Sequence, residues 1–260
     1  MEICLKQVGV LLQKREILRD INLNLEKQQM TFLLGLNGAG KSTLIKAIMG
    51  LLPISAGNIY YNGRQLKDLS IKERARQIAY IPQNSELWIY EKVKDFILTG
   101  STPYLKTFEI PKSEWKQRRE EAMAEFQIEH LRDAYMDAIS GGEKKLAYLA
   151  RARVQDADWM ILDEPTAALD YKRQHEFMNQ LKRYSEKEKK GILLSVHDPN
   201  LALKYADYVV ILDKKTVKAC IDRRENDFEN KLMEVLRQIY GDKLKLIEMK
   251  GFYSLDWREE

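Results

Sequence analysis

The chain has 260 residues, enough for one large or two small domains around a substantial core. Its 43 Lys and Arg nearly balance 39 Asp and Glu, leaving a net charge of +4. That balance argues against nucleic acid as a partner, which calls for a concentrated basic face. Cys4 and Cys220 lie far apart, lack metal-ligand spacing, and read as reduced core thiols of a cytosolic protein. With no leader-like N-terminus and no apolar run of about 18 residues, the chain is expected neither to cross a membrane nor to be exported. It can still dock on a membrane protein.

Residues 2–25 alternate in patches (Ile3, Leu5, Val8, Val10, then Ile17, Leu18, Ile21, Leu23, Leu25) around a polar turn at 13–15, which predicts a small antiparallel sheet. Residues 30–34 form a short apolar run, read as a buried strand. The run breaks at Gly35, and residues 42–52 then carry a helical apolar face. Between them lies Gly-x-x-x-x-Gly-Lys-Ser, the pattern of a phosphate-cradling loop. Gly35, Gly38 and Gly40 permit backbone angles that aim successive N–H groups into one hollow, and the helix start near Lys41 adds its positive dipole end. Lys41 can reach terminal phosphates, and the Ser42 hydroxyl suits Mg²⁺. A glycine-rich turn that binds nothing is the plain alternative, but the strand before and helix after supply the context the motif requires.

Further along, 53–57 reads as a turn, 58–63 as a strand ending in a hairpin-type Asn-Gly, 71–77 as a short helix, and 78–81 as a strand stopped by Pro82, with Gln83 just beyond. From about 84 to 152 the character changes. Charge-rich helical patterns at 88–98, 112–126 and 144–154 predict a helical subdomain inserted between strands. Strand, helix, strand, helix and strand then follow at 159–162, 171–188, 191–195, 199–205 and 208–212. Such alternation implies an α/β fold with a mainly parallel sheet covered on both faces, its ligands at the strand C-terminal ends. Residues 226–260 are a mixed tail with a helical stretch at 228–240 whose role is left open.

Asp163 and Glu164 close a buried strand. Asp163 suits a place beside a Mg²⁺ held by Ser42, and Glu164 can orient or deprotonate a water aimed at a γ-phosphate; a solvated strand end is the bland alternative. Ser140-Gly-Gly-Glu143 before a helical run fits a capping box. Capping accounts for Ser140 and Glu143 but not for Gly141 and Gly142, which cost stability in a first helical turn unless something approaches the backbone. A phosphate on those N–H groups would be a reason. His197, after a strand, can bond a γ-phosphate oxygen or be an ordinary surface histidine. Asp198-Pro199 reads as an N-cap followed by Pro at N1, and Gln83 as a Mg²⁺ or water ligand or a plain turn residue.

Together these residues resemble the ATP-binding subunit of an ABC transporter, over about residues 2–215. Residues 35–42 are similar to the Walker A loop, Gln83 to the Q-loop, 139–143 to the signature motif, 160–164 to the Walker B strand, 168–170 to the D-loop and His197 to the switch histidine. The resemblance implies a P-loop NTPase core with an N-terminal antiparallel β subdomain and an inserted α-helical subdomain, the ATP-binding domain covering 1–225. It implies ATP contacts from Gly35, Asn37, Gly38, Ala39, Gly40, Lys41, Ser42, Thr43 and Gln83, and from Ser140, Gly141, Gly142 and Asp170. Mg²⁺ would fall to Ser42, Gln83 and Asp163, and catalysis to Glu164 and His197.

The family works as a head-to-tail pair, each ATP held between one copy's phosphate loop and the other's signature helix. A homodimer or related paired subunit is therefore implied, with an integral membrane permease, indirectly a substrate-binding protein, and a peripheral place on the cytoplasmic face of the membrane. Three positions depart from the pattern: Leu12 where an adenine-stacking aromatic is expected, Glu143 for the final signature Gln, and Leu146 for an early signature-helix Arg. Residues 100–104, 166–170 and 197–202 look most similar to ATPases of bacterial iron-chelate, haem and cobalamin importers; molybdate importers have similar ones. The competing readings are a non-transport ABC ATPase acting on ribosomes or DNA, and a metabolic kinase, which would leave Ser140–Glu143 and His197 without purpose.

Overall fold

A computed structural model describes residues 2–83, 90–167, 169–249 and 252–257. In chain order the strands and helices are β1 (Glu2–Leu12), β2 (Arg15–Glu26), β3 (Met30–Leu34), α1 (Lys41–Ile48), β4 (Ala56–Tyr61), β5 (Arg64–Gln65), α2 (Ile71–Gln77), β6 (Ile78–Ile81), α3 (Val93–Leu98) and α4 (Ser113–Glu125). They continue with α5 (Gly141–Gln155), β7 (Trp159–Leu162), α6 (Tyr171–Glu188), β8 (Gly191–Ser195), α7 (Pro199–Tyr205), β9 (Tyr208–Asp213), β10 (Thr216–Asp222), α8 (Phe228–Tyr240), β11 (Leu244–Met249) and β12 (Phe252–Trp257). The backbone divides into two compact units, residues 1–68 with 191–260, and residues 69–190.

In the first unit β1 pairs antiparallel with β2 and β4, and β4 with β5. The β4–β5 turn is Asn62-Gly63, with φ of 50° and 80°; both left-handed residues suit a tight hairpin. Strand β3 lies parallel to β8, with Met30 opposite Ile192 and Leu33 opposite Ser195, and parallel to β9, with Leu34 opposite Ile211. Every residue of β3 and β8 is buried, as strands covered on both faces require. Strand β10 pairs antiparallel with β9. The tail is built into this unit: α8 buries Phe228, Leu232, Met233 and Leu236 on one stripe in contact with β10 and β11, and β12 lies on α7.

In the second unit β6 and β7 are parallel, Ile81 opposite Leu162, and α5 is surrounded by α3, α4 and a 3₁₀ turn at Thr99–Tyr104. The approach is close: a Cβ at Gly100 would stand 2.4 Å from the Arg151 carbonyl oxygen.

The helix expected at 88–98 begins only at Val93. The Glu91 carbonyl accepts from Met136 N–H at 2.9 Å and Val93 N–H donates to the Ala134 carbonyl at 2.9 Å, so the backbone just before the helix is bonded sideways; residues 84–89 lie outside the described part. The helix expected at 144–154 starts earlier, at Gly141. The thiols are not core groups: Cys4 is half-buried and Cys220 exposed. Strand alternation is the reason, since Ile3 and Leu5 beside Cys4, and Ile221 beside Cys220, take the inward positions.

Candidate functional site

In the first unit the phosphate-loop pattern leaves β3 and enters α1. Gly35 has φ of 149°, and a Cβ there would lie 2.5 Å from the Leu212 carbonyl oxygen; Gly40 has φ of 103°, with Leu18 Cδ2 at 2.7 Å from the same construction. A side chain at Gly35 would run into main chain, and at Gly40 the left-handed φ strains any side chain, so the loop's path favours both glycines. At Gly38, by contrast, a Cβ would meet nothing within 4 Å, leaving that backbone approachable. Asn37 is exposed, while Ala39 and Thr43 are partly buried, and Ala39 N–H closes the loop on the Leu36 carbonyl at 3.1 Å. Helix α1 begins with no side-chain cap and no acidic residue in its first turn, the arrangement that suits an anion. The buried Lys41 ammonium donates to the carbonyls of Gly35 at 2.7 Å and Leu36 at 3.3 Å. His197 is exposed two residues beyond β8. Because Leu33 faces Ser195 across the ladder, His197 leaves the same end of the sheet as Gly35. Asp198 caps α7, accepting from Asn200 N–H at 2.8 Å, with Pro199 at its start.

The second unit repeats the device with β6 and β7. Ile81 faces Leu162, so Gln83 and Glu164 leave at equal depth, and the Gln83 amide donates to the Glu164 carboxylate. Glu164 has a left-handed φ of 46°, a conformation that costs energy for a non-glycine and often marks a functional position. Asp163 is almost fully buried, its N–H donating to the Ile81 carbonyl at 3.0 Å. Its charge is felt nearby: the Tyr80 phenol is pushed up to about 12, first by burial and then by Asp163. Ser42, Gln83 and Asp163 offer oxygen donors, the chemistry Mg²⁺ selects. Among the described residues no group of three or more His, Cys, Asp or Glu is placed to hold a metal by itself; Mg²⁺, which keeps phosphate and water ligands, needs none.

Helix α5 opens with a complete capping box. The Glu143 carboxylate accepts from Ser140 N–H at 2.8 Å and from the Ser140 hydroxyl at 2.7 Å, and Ser140 Oγ accepts from Glu143 N–H at 3.4 Å. These bonds from Ser140 hold the Glu143 carboxyl below its ordinary range, so its negative charge is turned back onto its own helix end. A Cβ at Gly141 would meet nothing within 4 Å, and at Gly142 only ordinary contacts, the nearest Arg173 Nη1 at 3.5 Å. None of the described residues demands either glycine. Beside this turn a cavity of about 200 Å³ is lined by Ser140, Gly142, Leu146, Leu169 and Arg173. Asp170 caps α6, accepting from Arg173 N–H at 2.9 Å; Ala168 lies outside the described residues. Leu12, the first departure, is half-buried at the β1 turn opposite Arg15.

Sequence reasoning passed over Lys145. It is buried, and its ammonium donates to the carbonyls of Pro165 and Ala167, in the turn just after Glu164. Burial brings its pKa down to about 8. A lysine in a charge-rich helix carries no signal of this in the sequence.

The pattern of the ABC transporter family matches residues 18–167. The chain is 38% identical over 202 residues to an uncharacterized ABC transporter ATP-binding protein of Haemophilus influenzae, covering 77% of this chain and 76% of that one. It is 33% identical over 196 residues to a petrobactin import ATP-binding protein of Bacillus subtilis, covering 75% and 77%. Among solved structures it superposes on an ATP-binding subunit of an ABC transporter with a TM-score of 0.78 and 27% identity, covering 91% of this chain and 100% of that one. Two pairs of strand ends carrying Gly35 with His197 and Gln83 with Glu164, a capped Ser-Gly-Gly helix start and these likenesses converge: the chain belongs to the ABC transporter family, as an ATP-hydrolysing subunit of the P-loop α/β fold.

Proposed function

We propose that the chain drives a bacterial importer of metal chelates (iron-siderophore, haem or cobalamin), two copies or two related subunits clamping ATP between them. The observation that carries the reading is the start of α5: a capped turn whose two glycines none of the described residues requires. Backbone N–H groups laid bare in this way suit a phosphate, and a nucleotide held on a second copy's loop supplies one. On this reading Gly35, Asn37, Gly38, Ala39, Gly40, Lys41, Ser42 and Thr43 bind the phosphates of the chain's own ATP, Lys41 exchanging its loop carbonyls for phosphate oxygens. Ser140, Gly141 and Gly142 meet the partner's nucleotide, and Asp170 borders it. Ser42, Gln83 and Asp163 hold Mg²⁺, which neutralises charge on the transferred phosphoryl group when bound. Glu164 orients the attacking water, and His197 bonds the γ-phosphate.

The siderophore cargo is supported by the petrobactin import relative. Among the described residues no helix is long and apolar enough to cross a membrane, so a separate permease would carry the cargo, the ATPase sitting peripherally on its cytoplasmic side. A substrate-binding protein would deliver cargo to that permease.

Glu164→Gln tests this reading. The variant keeps ATP binding, hydrolyses at least about 100-fold more slowly, and accumulates as an ATP-bound dimer on size exclusion. Hydrolysis at the wild-type rate removes the role given to Glu164, and a monomer at saturating ATP removes the clamp.

A further inference from the structure

The chemistry above leaves the Lys145 ammonium unused. It lies in the first turns of α5, the helix capped by Ser140, and reaches the carbonyls of Pro165 and Ala167. Among the described residues no carboxylate stands within ion-pair distance of it, and burial alone accounts for its lowered pKa. A charged lysine is a costly way to satisfy two interior carbonyls, because its charge must be stripped of water without a counter-ion. Its long stem adds reach, from a helix to the neighbouring turn.

Two more side chains of α5 do the same. Arg151 Nη2 donates to the Tyr80 carbonyl at 3.2 Å, and Gln155 Nε2 to the carbonyls of Ala75 at 2.6 Å and Ile78 at 2.8 Å. The helix is thereby bonded along its length to β6, whose end carries Gln83, and to the turn leaving Glu164. Of the three, Lys145 is closest along the helix to Ser140, and it alone grips the Glu164 side.

We propose that Lys145 is a positioning residue for ATP hydrolysis: by holding the Pro165 and Ala167 carbonyls it makes the turn carrying Glu164 follow the helix that begins at Ser140. Engagement of Ser140–Gly142 by a partner's nucleotide then sets where the Glu164 carboxylate stands. The inference rests on the roles proposed above for Glu164 and Ser140. It separates binding from turnover, since the carbonyls that Lys145 holds belong to the turn after Glu164 and not to the loop at Gly35–Ser42.

The test is steady-state hydrolysis with Mg²⁺ by the purified chain, beside titration with labelled ATP. Lys145→Met keeps the stem and loses the donors; kcat falls about ten-fold or more while the Kd for ATP stays within about two-fold. Lys145→Arg, which keeps charge and donors, recovers at least about a third of the wild-type kcat. A Lys145→Met chain with kcat within about two-fold of wild type overturns the proposal, as does equal loss in the Met and Arg variants. Should circular dichroism show that Lys145→Met does not fold, Lys145→Gln, whose shorter amide cannot reach both carbonyls, takes its place under the same criteria. Failure of the underlying reading shows separately, as wild-type hydrolysis by Glu164→Gln.

Discussion

A lysine held at about 8 by burial leaves a mark on stability as well as on turnover. Below that value the folded chain carries the full cost of a buried ammonium. Between about 8 and the ordinary lysine value near 10.5 the unfolded chain binds more protons than the folded one, so stability rises with pH across that window. Lys145→Met lacks this slope. Urea unfolding of both chains should show the wild type gaining on the variant by on the order of 2 kcal/mol between about pH 7.5 and pH 9.5. A gap that stays constant contradicts the buried, unpaired ammonium. The range stops short of tyrosine ionisation, where Tyr80, pushed up to about 12, adds a slope of opposite sign. Glu143 shows the complementary lesson at this scale: an acid in a turn proposed to meet phosphate has its charge engaged by two bonds from Ser140.

Among elements, those framing the chemistry were legible because their boundaries carry local signals. The Asn-Gly turn before β5, the capping box of α5, and Asp198-Pro199 at α7 each announce a start or stop, and α6, β8 and α7 run over the expected residues. Strand β10 was not read because its hairpin turns on Lys214 and Lys215, with φ of 45° and 73°, where glycine or asparagine would have signalled the turn. The β11–β12 hairpin was missed for a different reason: among its described side chains only Leu244 and Leu255 are deeply buried, so its alternation is faint. Of the residues proposed for the site, Gly35, Lys41, Asp163 and Glu164 stand in motifs that the sequence displays. Lys145 was not, since its partners are main-chain carbonyls. Gly100 is a case where packing decides the residue. Gly100→Ala puts a methyl group 2.4 Å from the Arg151 carbonyl oxygen and 3.0 Å from Gln155 nitrogen, neither of which can swing aside. Unfolding in urea should show a loss of about 2 kcal/mol; an unchanged midpoint would mean that α5 does not approach the turn so closely.

For the whole molecule, nucleotide is part of the stability. With ATP at about 100 times its Kd, the native state should gain about 2.7 kcal/mol, seen as a raised melting temperature. In Lys41→Ala that gain should vanish, because the cation that satisfies the loop carbonyls is the one expected to receive phosphate. An equal shift in both chains would place the nucleotide elsewhere.

Strand β3 has a consequence for how the protein is made. Its two parallel neighbours, β8 and β9, enter the chain only from residue 191 onward, whereas its own residues are among the first translated. On the ribosome this strand is synthesised early and then waits, its backbone donors without their final ladder, while residues 69–190, a compact unit, emerge as one uninterrupted stretch. The parallel ladder on β3 is thus completed only after residue 191 has been made, and a nascent chain stalled before that point lacks both neighbours of this strand.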